Sequence, residues 1–250
     1  MKSAKSSKEL KVDFRLVLLL ILIASSSLFV YEGVLGQPTG AEIFYNVTTT
    51  APAAPAGSLV TAGGTFTTLV LNGTFQTQKW KAYVGNVTGI IVLSDSNQFT
   101  IYNWDLVSIS GEVYVSRNDS VSWSSVTCAL QSDIYAEENY LNINSSSADS
   151  INKTFNQSIH KAFYVGTILI QNSTCRSIAT FVNDTRQAPS EDADFQMIML
   201  KDSSDLVVYA SILEDKSLGY NLNPFDFQLI VPEDETKIEP TPYYFYVEIS

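Results

Sequence analysis

Apolar positions along this 250-residue chain follow three regimes. In the first, Leu16 to Val30 carries no charge and lies behind Lys2, Lys5, Lys8, Lys11 and Arg15. Counted from Phe14, the stretch to Val30 is 17 residues, a helix of roughly 25 Å. That meets the lower edge of the ~17–25 residues that cross a hydrocarbon core of ~30 Å. Tyr31 stands where an interfacial aromatic sits. The pattern predicts a basic cytoplasmic tail over 1–13 and a transmembrane signal-anchor helix over 14–31. In the second regime, Thr48 to Gly64 reads TTTAPAAPAGSLVTAGG, with no apolar period. It predicts a stalk over residues 32–65.

The third regime runs from Phe66 to the end, in short β-branched or aromatic runs bounded by Asn, Asp, Ser and Gly. Strands are expected at Phe66–Leu71, Val87–Leu93, Phe99–Trp104, Gly111–Ser116, Ala162–Ile170, Ile178–Val182, Phe195–Leu200, Leu206–Leu213, Phe225–Val231 and Tyr243–Ile249. In the last, Tyr243, Phe245, Val247 and Ile249 alternate with Tyr244, Tyr246 and Glu248, so one face is available for burial. Lys201-Asp202-Ser203-Ser204-Asp205 resembles a hairpin connection. A helix capped by Ser124 or Ser125 is expected through Ala129, Leu130, Ile134 and Tyr135 towards Tyr140. A shorter one, capped by Asp149, passes through Ile151 and Phe155. The fold class is therefore mainly β (α+β): a β-sandwich-like ectodomain over 66–250 with a small helical insertion, preceded by one transmembrane helix.

Charge gives the first segment its direction. Of 15 Lys/Arg and 26 Asp/Glu, five bases and two acids lie up to Arg15, leaving ten bases against 24 acids beyond it. Positive residues stay in the cytoplasm, so the acidic bulk goes out. A cleaved signal peptide competes with the anchor, because Leu16 to Ala24 has a suitable length and Ala24-Ser25-Ser26 offers a cut. Leu28, Phe29 and Val30 extend the run past that cut and favour the anchor; either reading exports the domain. A pilin-like helix lacks support, with no basic-Gly processing site before the run and no acidic residue early within it. A buried core helix has no second helix of comparable apolarity to pack on. No Cys adjoins the run to take a lipid.

An acidic, Ser/Thr/Asn-rich exported part lacks the basic footprint that nucleic acid demands. Its two cysteines, Cys128 and Cys175, are expected to form a disulfide outside the cell. Nine Asn-x-Ser/Thr matches follow the apolar run, at Asn46, Asn72, Asn86, Asn118, Asn144, Asn152, Asn156, Asn172 and Asn183. All except Asn86, which adjoins an apolar run, are candidate glycosylation sites, with Asn118 and Asn183 favoured by their loop context.

Chemistry is harder to find. His160 is the single histidine, so any Ser-His-Asp or Cys-His relay must use it. It stands at the end of an expected helix in a polar context, where a hydrogen-bonded structural histidine is expected. Two cysteines and one histidine do not make a structural zinc site. Glu191-Asp192-Ala193-Asp194 and Glu233-Asp234-Glu235 lack the Gly-punctuated spacing of a calcium loop. Gly63-Gly64 lacks the Lys-Ser/Thr of a phosphate loop. Trp80, Trp104 and Trp123 are expected in a β core, and an exposed one beside Asn103 and Asp105 would instead favour sugar stacking.

Several stretches resemble a group of uncharacterised archaeal surface proteins, each with one N-terminal membrane segment. They are KWKAYVGNVTG (Lys79–Gly89), GEVYV (Gly111–Val115), VSWSSVTC (Val121–Cys128), DSINKTF (Asp149–Phe155), DFQLIVP (Asp226–Pro232) and YYFYVE (Tyr243–Glu248). Leu218 to Asn223 departs from the Gly-Phe-Asn-Gly turn associated with that group. The resemblance implies an envelope location and supplies no catalytic residue. The expected function is a non-catalytic, glycosylated, membrane-anchored surface protein with an envelope, adhesion or recognition role. Its expected partners are the membrane, through 14–31, and surface proteins or glycans, with no cofactor. A filament subunit, pilin-like or assembled by strand exchange, is the alternative, motivated by the unprotected C-terminal strand. An ectoenzyme ranks third.

Overall fold

The computed structural model describes residues 36–234, 236 and 240–249. The expected tail over 1–13 and signal-anchor helix over 14–31 lie outside the described residues. Among the described residues, no helix is long and apolar enough to cross a membrane.

The domain is mainly β. Its first strand, β1 (Thr39–Gly40), is followed after a long exposed stretch by β2 (Trp80–Gly85) and the hairpin of β3 (Ile90–Ser94) and β4 (Thr100–Asp105). Next come β5 (Gly111–Ser116), a 3-10 turn at Trp123–Ser125 and β6 (Thr127–Cys128). Helices α1 (Gln131–Tyr140) and α2 (Ile151–Thr154) precede the hairpin of β7 (Phe163–Val165) and β8 (Ile168–Ile170), then β9 (Ser177–Ala179). The chain ends with β10 (Gln196–Lys201), β11 (Val207–Ile212), β12 (Ser217–Leu218), β13 (Pro224–Phe225), β14 (Phe227–Pro232) and β15 (Tyr244–Ile249).

An antiparallel sheet in the order β1-β15-β5-β11-β10 forms the frame, and β6 and β9 share the outer edge of β10. Its inner strands are buried on both faces, so GEVYVS, QMIMLK and VVYASI read as near-continuous runs rather than strict alternation. One face presents Val113, Val115, Met197, Met199 and Tyr209 to α1, α2 and β14, with Ile134, Phe155 and Leu229 filling the layer. The other presents Tyr114, Ile198, Leu200, Val208 and Ala210 to Trp123, Phe163, Val165 and Ile170. The second layer is thus a β2–β14 pair with helices on one side, and the β7–β8 hairpin with the 3-10 turn on the other.

Helix α1 is polar for its position, and ion pairs fasten it to the sheet. Arg117 at the end of β5 donates to both Glu137 oxygens, at 3.0 and 2.5 Å, and stacks 3.7 Å over the Tyr140 ring. Lys201 at the end of β10 reaches Asp133 at 3.2 Å. Helix α1 starts later than expected, capped through the Asp133 side chain accepting from Leu130 N–H, and α2 is capped by Ser150 rather than Asp149.

Two segments differ from the strand pattern. Phe66–Leu71 has strand composition but pairs with no strand among the described residues and stays exposed, whereas Trp80–Gly85 forms a full strand on β14. Within the stretch expected as a stalk, Thr39–Gly40 pairs with Val247 and Tyr246 of β15 and residues 41–65 are exposed; the next strand, β2, begins beyond it at Trp80.

Candidate contact surface

Every residue of both strands of the β3–β4 hairpin is exposed. Its turn is well formed. Asp95 Oδ1 accepts from Asn97 N–H and Phe99 N–H, both at 2.9 Å, and Gln98 takes a left-handed φ of 68°. Register pairs Ile91 with Trp104 and Leu93 with Tyr102, which puts all four on one face. The Tyr102 and Trp104 rings meet edge to face at 4.9 Å. Ile90 and Val92 share the opposite face with Asn103 and Asp105. Among the described residues, β3 and β4 pair only with each other, so both outer edges offer unpaired backbone groups. An apolar run such as IIVL is expected inside a domain. Here it meets solvent on both faces and ends beside a tryptophan that is 48% exposed.

The three tryptophans have separated accordingly. Trp123 is buried against Tyr114 and Tyr246, with ring centroids 5.1 Å apart in each case. Trp80 packs on Phe155 and donates from its indole nitrogen to the Asp149 carbonyl at 2.7 Å. Trp104 alone of the three stands exposed, beside Asn103 and Asp105.

A carboxyl pair is buried on the sheet. Glu112 of β5 and Glu248 of β15 are register partners, so both side chains leave the same face. Tyr114 O–H donates to Glu248 at 3.0 Å, and Gly166 N–H donates to both Glu248 oxygens at 2.9 and 3.0 Å. Burial, then the neighbouring Glu248 charge, pushes Glu112 up to about 8, and burial raises Glu248 as well. Gly111 lets the strands come this close. Its φ is 123°, and a Cβ there would lie 2.1 Å from the Glu248 carbonyl oxygen. The pair resembles a general acid–base arrangement in composition, but it sits inside the domain with each carboxyl 6% exposed. Sequence reading missed it because Glu112 and Glu248 come from distant strands.

The expected disulfide forms between Cys128 and Cys175, with Cα atoms 5.0 Å apart. Its placement explains its use. β6 and β9 run as two pieces of one edge against β10, and the bond joins them where the helical insertion leaves and returns. His160 supports that junction. Its Nδ1 faces the Lys161 carbonyl at 2.8 Å, and its Nε2 accepts from Cys175 N–H at 3.0 Å and Thr174 N–H at 3.2 Å. The ring is wholly buried, and burial lowers its pKa. Both ring nitrogens are therefore committed to backbone.

The candidate glycosylation sites divide by accessibility. Asn46, Asn72, Asn144, Asn156, Asn172 and Asn183 are exposed, as is Asn86. Asn118 and Asn152 are half-buried, and Asn118 Nδ2, the atom a glycan would take, donates to Asp202 at 2.7 Å. Asn172 Nδ2 donates to Glu191, which also accepts from Ser173. Asp234 accepts from Asn142 and from Thr236. Among the described residues, no three acidic, histidine or cysteine side chains converge as a metal site. An open hollow of about 470 Å3 between α2 and β9 is lined by Lys153, Asn156, Phe181 and Arg186 and by no carboxylate. A second, of about 340 Å3 beside β1 and β15, has Asp119 as its single acid.

No protein-family model, curated protein or solved structure matches the chain.

Proposed function

We propose that this chain is an exported surface protein, anchored by residues 14–31 with its N-terminus inside, that presents a β domain for adhesion or recognition and performs no catalysis. The observation that carries the reading is the β3–β4 hairpin, with Ile91, Leu93, Tyr102 and Trp104 open to solvent on one face. Contiguous exposed apolar surface of this kind marks contact with a partner. Aromatic side chains beside Asn103 and Asp105 suit stacking on a sugar ring or packing against protein. Export draws support from the Cys128–Cys175 bond, since disulfides persist in oxidising compartments. It also draws support from the charge asymmetry about the apolar run and from the resemblance to archaeal surface proteins. Glycosylation draws support from the exposure of Asn46, Asn72, Asn144, Asn156, Asn172 and Asn183. A non-catalytic role draws support from the histidine and the carboxyl pair, all engaged within the core.

A filament subunit is the second reading, favoured by one observation. The outer edge of β15 is covered by the two-residue β1, a short strap of the kind that exchanges between subunits.

Labelling intact cells with a membrane-impermeant amine reagent tests the location, and alkaline extraction separates anchored from released protein. Labelled chain in the membrane pellet is the expected result; label that appears only after lysis refutes export. Trp104→Ala should lower attachment of cells to their surface partners while leaving the amount of displayed protein unchanged. Equal attachment at equal display would remove the hairpin from the reading.

A further inference from the structure

We propose that residues Thr65–Phe75 of one copy of this chain add as a strand to the β3–β4 hairpin of a second copy. The proposal rests on the hairpin being a contact surface and names its occupant. Two observations meet in it. The segment TFTTLVLNGTF has strand composition, yet Phe66 to Phe75 makes no backbone–backbone hydrogen bond among the described residues. Phe66, Val70 and Phe75 are each more than nine-tenths exposed. The hairpin has the complementary need, with two open backbone edges and apolar side chains on both faces. Each feature lacks what the other supplies: an extended apolar strand and an edge to receive it. The arm does not lie on its own hairpin. β2 intervenes between them in sequence and is held to β14 over its whole length.

Charge decides against a lipid surface as the occupant. From Glu42 to Gln78, and again from Asn86 to Ser110, there is no Lys or Arg; the charges are Glu42, Asp95 and Asp105. Surface-lying membrane segments combine apolar faces with basic ones, which anionic headgroups attract. The arm Thr65–Phe75 carries no charge, and the hairpin strands carry one, Asp105, so no like charges oppose each other in the pairing. The size is sufficient. Aromatic residues bury roughly 150–250 Å2 each, and Phe66, Phe75, Phe99, Tyr102 and Trp104 all stand at this contact. With Leu69, Val70, Ile91 and Leu93 added, the contact approaches the ~1,200 Å2 at which specific interfaces begin. Two copies that exchange arms reciprocally close as a pair, and copies that pass arms head-to-tail continue from one to the next.

The test uses the full-length chain in lipid nanodiscs loaded with at most one copy per disc, read by amide hydrogen exchange over 66–75 and by particle mass. Amides in the arm should exchange at least about tenfold more slowly as disc concentration rises, while particles with several discs appear. Val70→Pro removes a strand donor from a segment with no partner to lose in the monomer, so stability should be unchanged and association weakened about tenfold or more. Trp104→Ala should weaken it from the other side. Each variant alone should stay single, and an equimolar mixture should form pairs and nothing larger, joining the intact arm of one to the intact hairpin of the other. Protection of the arm in isolated discs assigns it to lipid and overturns the proposal. So does wild-type association that survives Val70→Pro. A wild-type chain that never associates, yet loses cell attachment on Trp104→Ala, overturns arm pairing and leaves the contact-surface reading standing.

Discussion

Replacing Glu112 with Gln removes a proton-binding site from the inside of the sheet while keeping its shape. Glu112 is buried between Tyr114 and Glu248, and burial with the Glu248 charge pushes it up to about 8. Lys161 exerts a weaker, opposing pull. In the unfolded chain the same carboxyl titrates near its ordinary value of 4.5. The folded state therefore holds a proton that the unfolded state has released, throughout the interval between those two values. Stability is fully present below about 4.5 and falls as pH rises through about 8. At pH 7 the penalty is on the order of 3 kcal/mol for this one group. Because Glu248 shares the site, the two carboxyls release protons as a coupled pair. Glu112→Gln stays neutral at every pH and offers its amide to Glu248. The assay is urea unfolding at pH 5 and at pH 8, followed by the fluorescence of Trp123, whose ring lies 5.1 Å from Tyr114. The variant should be more stable than wild type at pH 8 by about 3–5 kcal/mol, with the gain shrinking towards pH 5. Comparing the two proteins at each pH cancels contributions from other titrating groups. Equal pH dependence in the two proteins would refute the buried, charge-coupled pair.

Three further outcomes follow from named contacts. Reducing Cys128–Cys175 opens a 47-residue separation and should lower stability by about 4 kcal/mol in the chain-entropy account, read as a lower urea midpoint with reductant; two free thiols in non-reducing mass spectrometry of mature protein would contradict the bond. Gly111→Ala places a methyl 2.1 Å from the Glu248 carbonyl oxygen at a φ of 123°, so it should cost at least ~3 kcal/mol and loosen β15, and an unchanged thermal midpoint would count against that register. His160 has a lowered pKa, so its contribution is present above its ordinary value of 6.5 and is lost as pH falls through the folded one. Protonation turns Nε2 into a donor facing Cys175 N–H and Thr174 N–H, so His160→Gln should flatten the acid limb of the stability profile, opposite in sign to Glu112.

Much of the strand content was legible because it depends on local pattern. β10 and β11 show as apolar runs either side of Lys201–Asp205. β15 shows as an alternation, but the fold buries Tyr246 and Glu248 from the face expected to meet solvent and leaves Phe245, Val247 and Ile249 half-buried, because both faces of the sheet are covered. The disulfide followed from having two cysteines in a part expected outside the cell. β2 was not legible as a strand. WKAYVG alternates weakly, and what orders it is β14, whose pairing spans more than 140 residues of sequence. Phe66–Leu71 is the converse, a strand composition for which the described residues provide no neighbour. The candidate surface divides in the same way. Trp104 beside Asn103 and Asp105 was visible as a conditional site, but whether it faced a core or solvent depended on what else came to pack there. Asn118 looked accessible in the sequence, and Asp202, brought alongside by the fold, occupies its side-chain nitrogen.

The sequence by itself determined the β character, the short apolar runs of the individual strands, the acidic balance and the cysteine pair. These are sums or periods over neighbouring residues, and the chain carries them whether or not it is folded. Only the tertiary structure decided that Glu112 meets Glu248, that the disulfide mends a broken edge strand, that Thr39–Gly40 adds to β15, and that the β3–β4 hairpin stays uncovered. Each of these depends on register between strands far apart in sequence, where a shift of one residue would send every side chain to the opposite face.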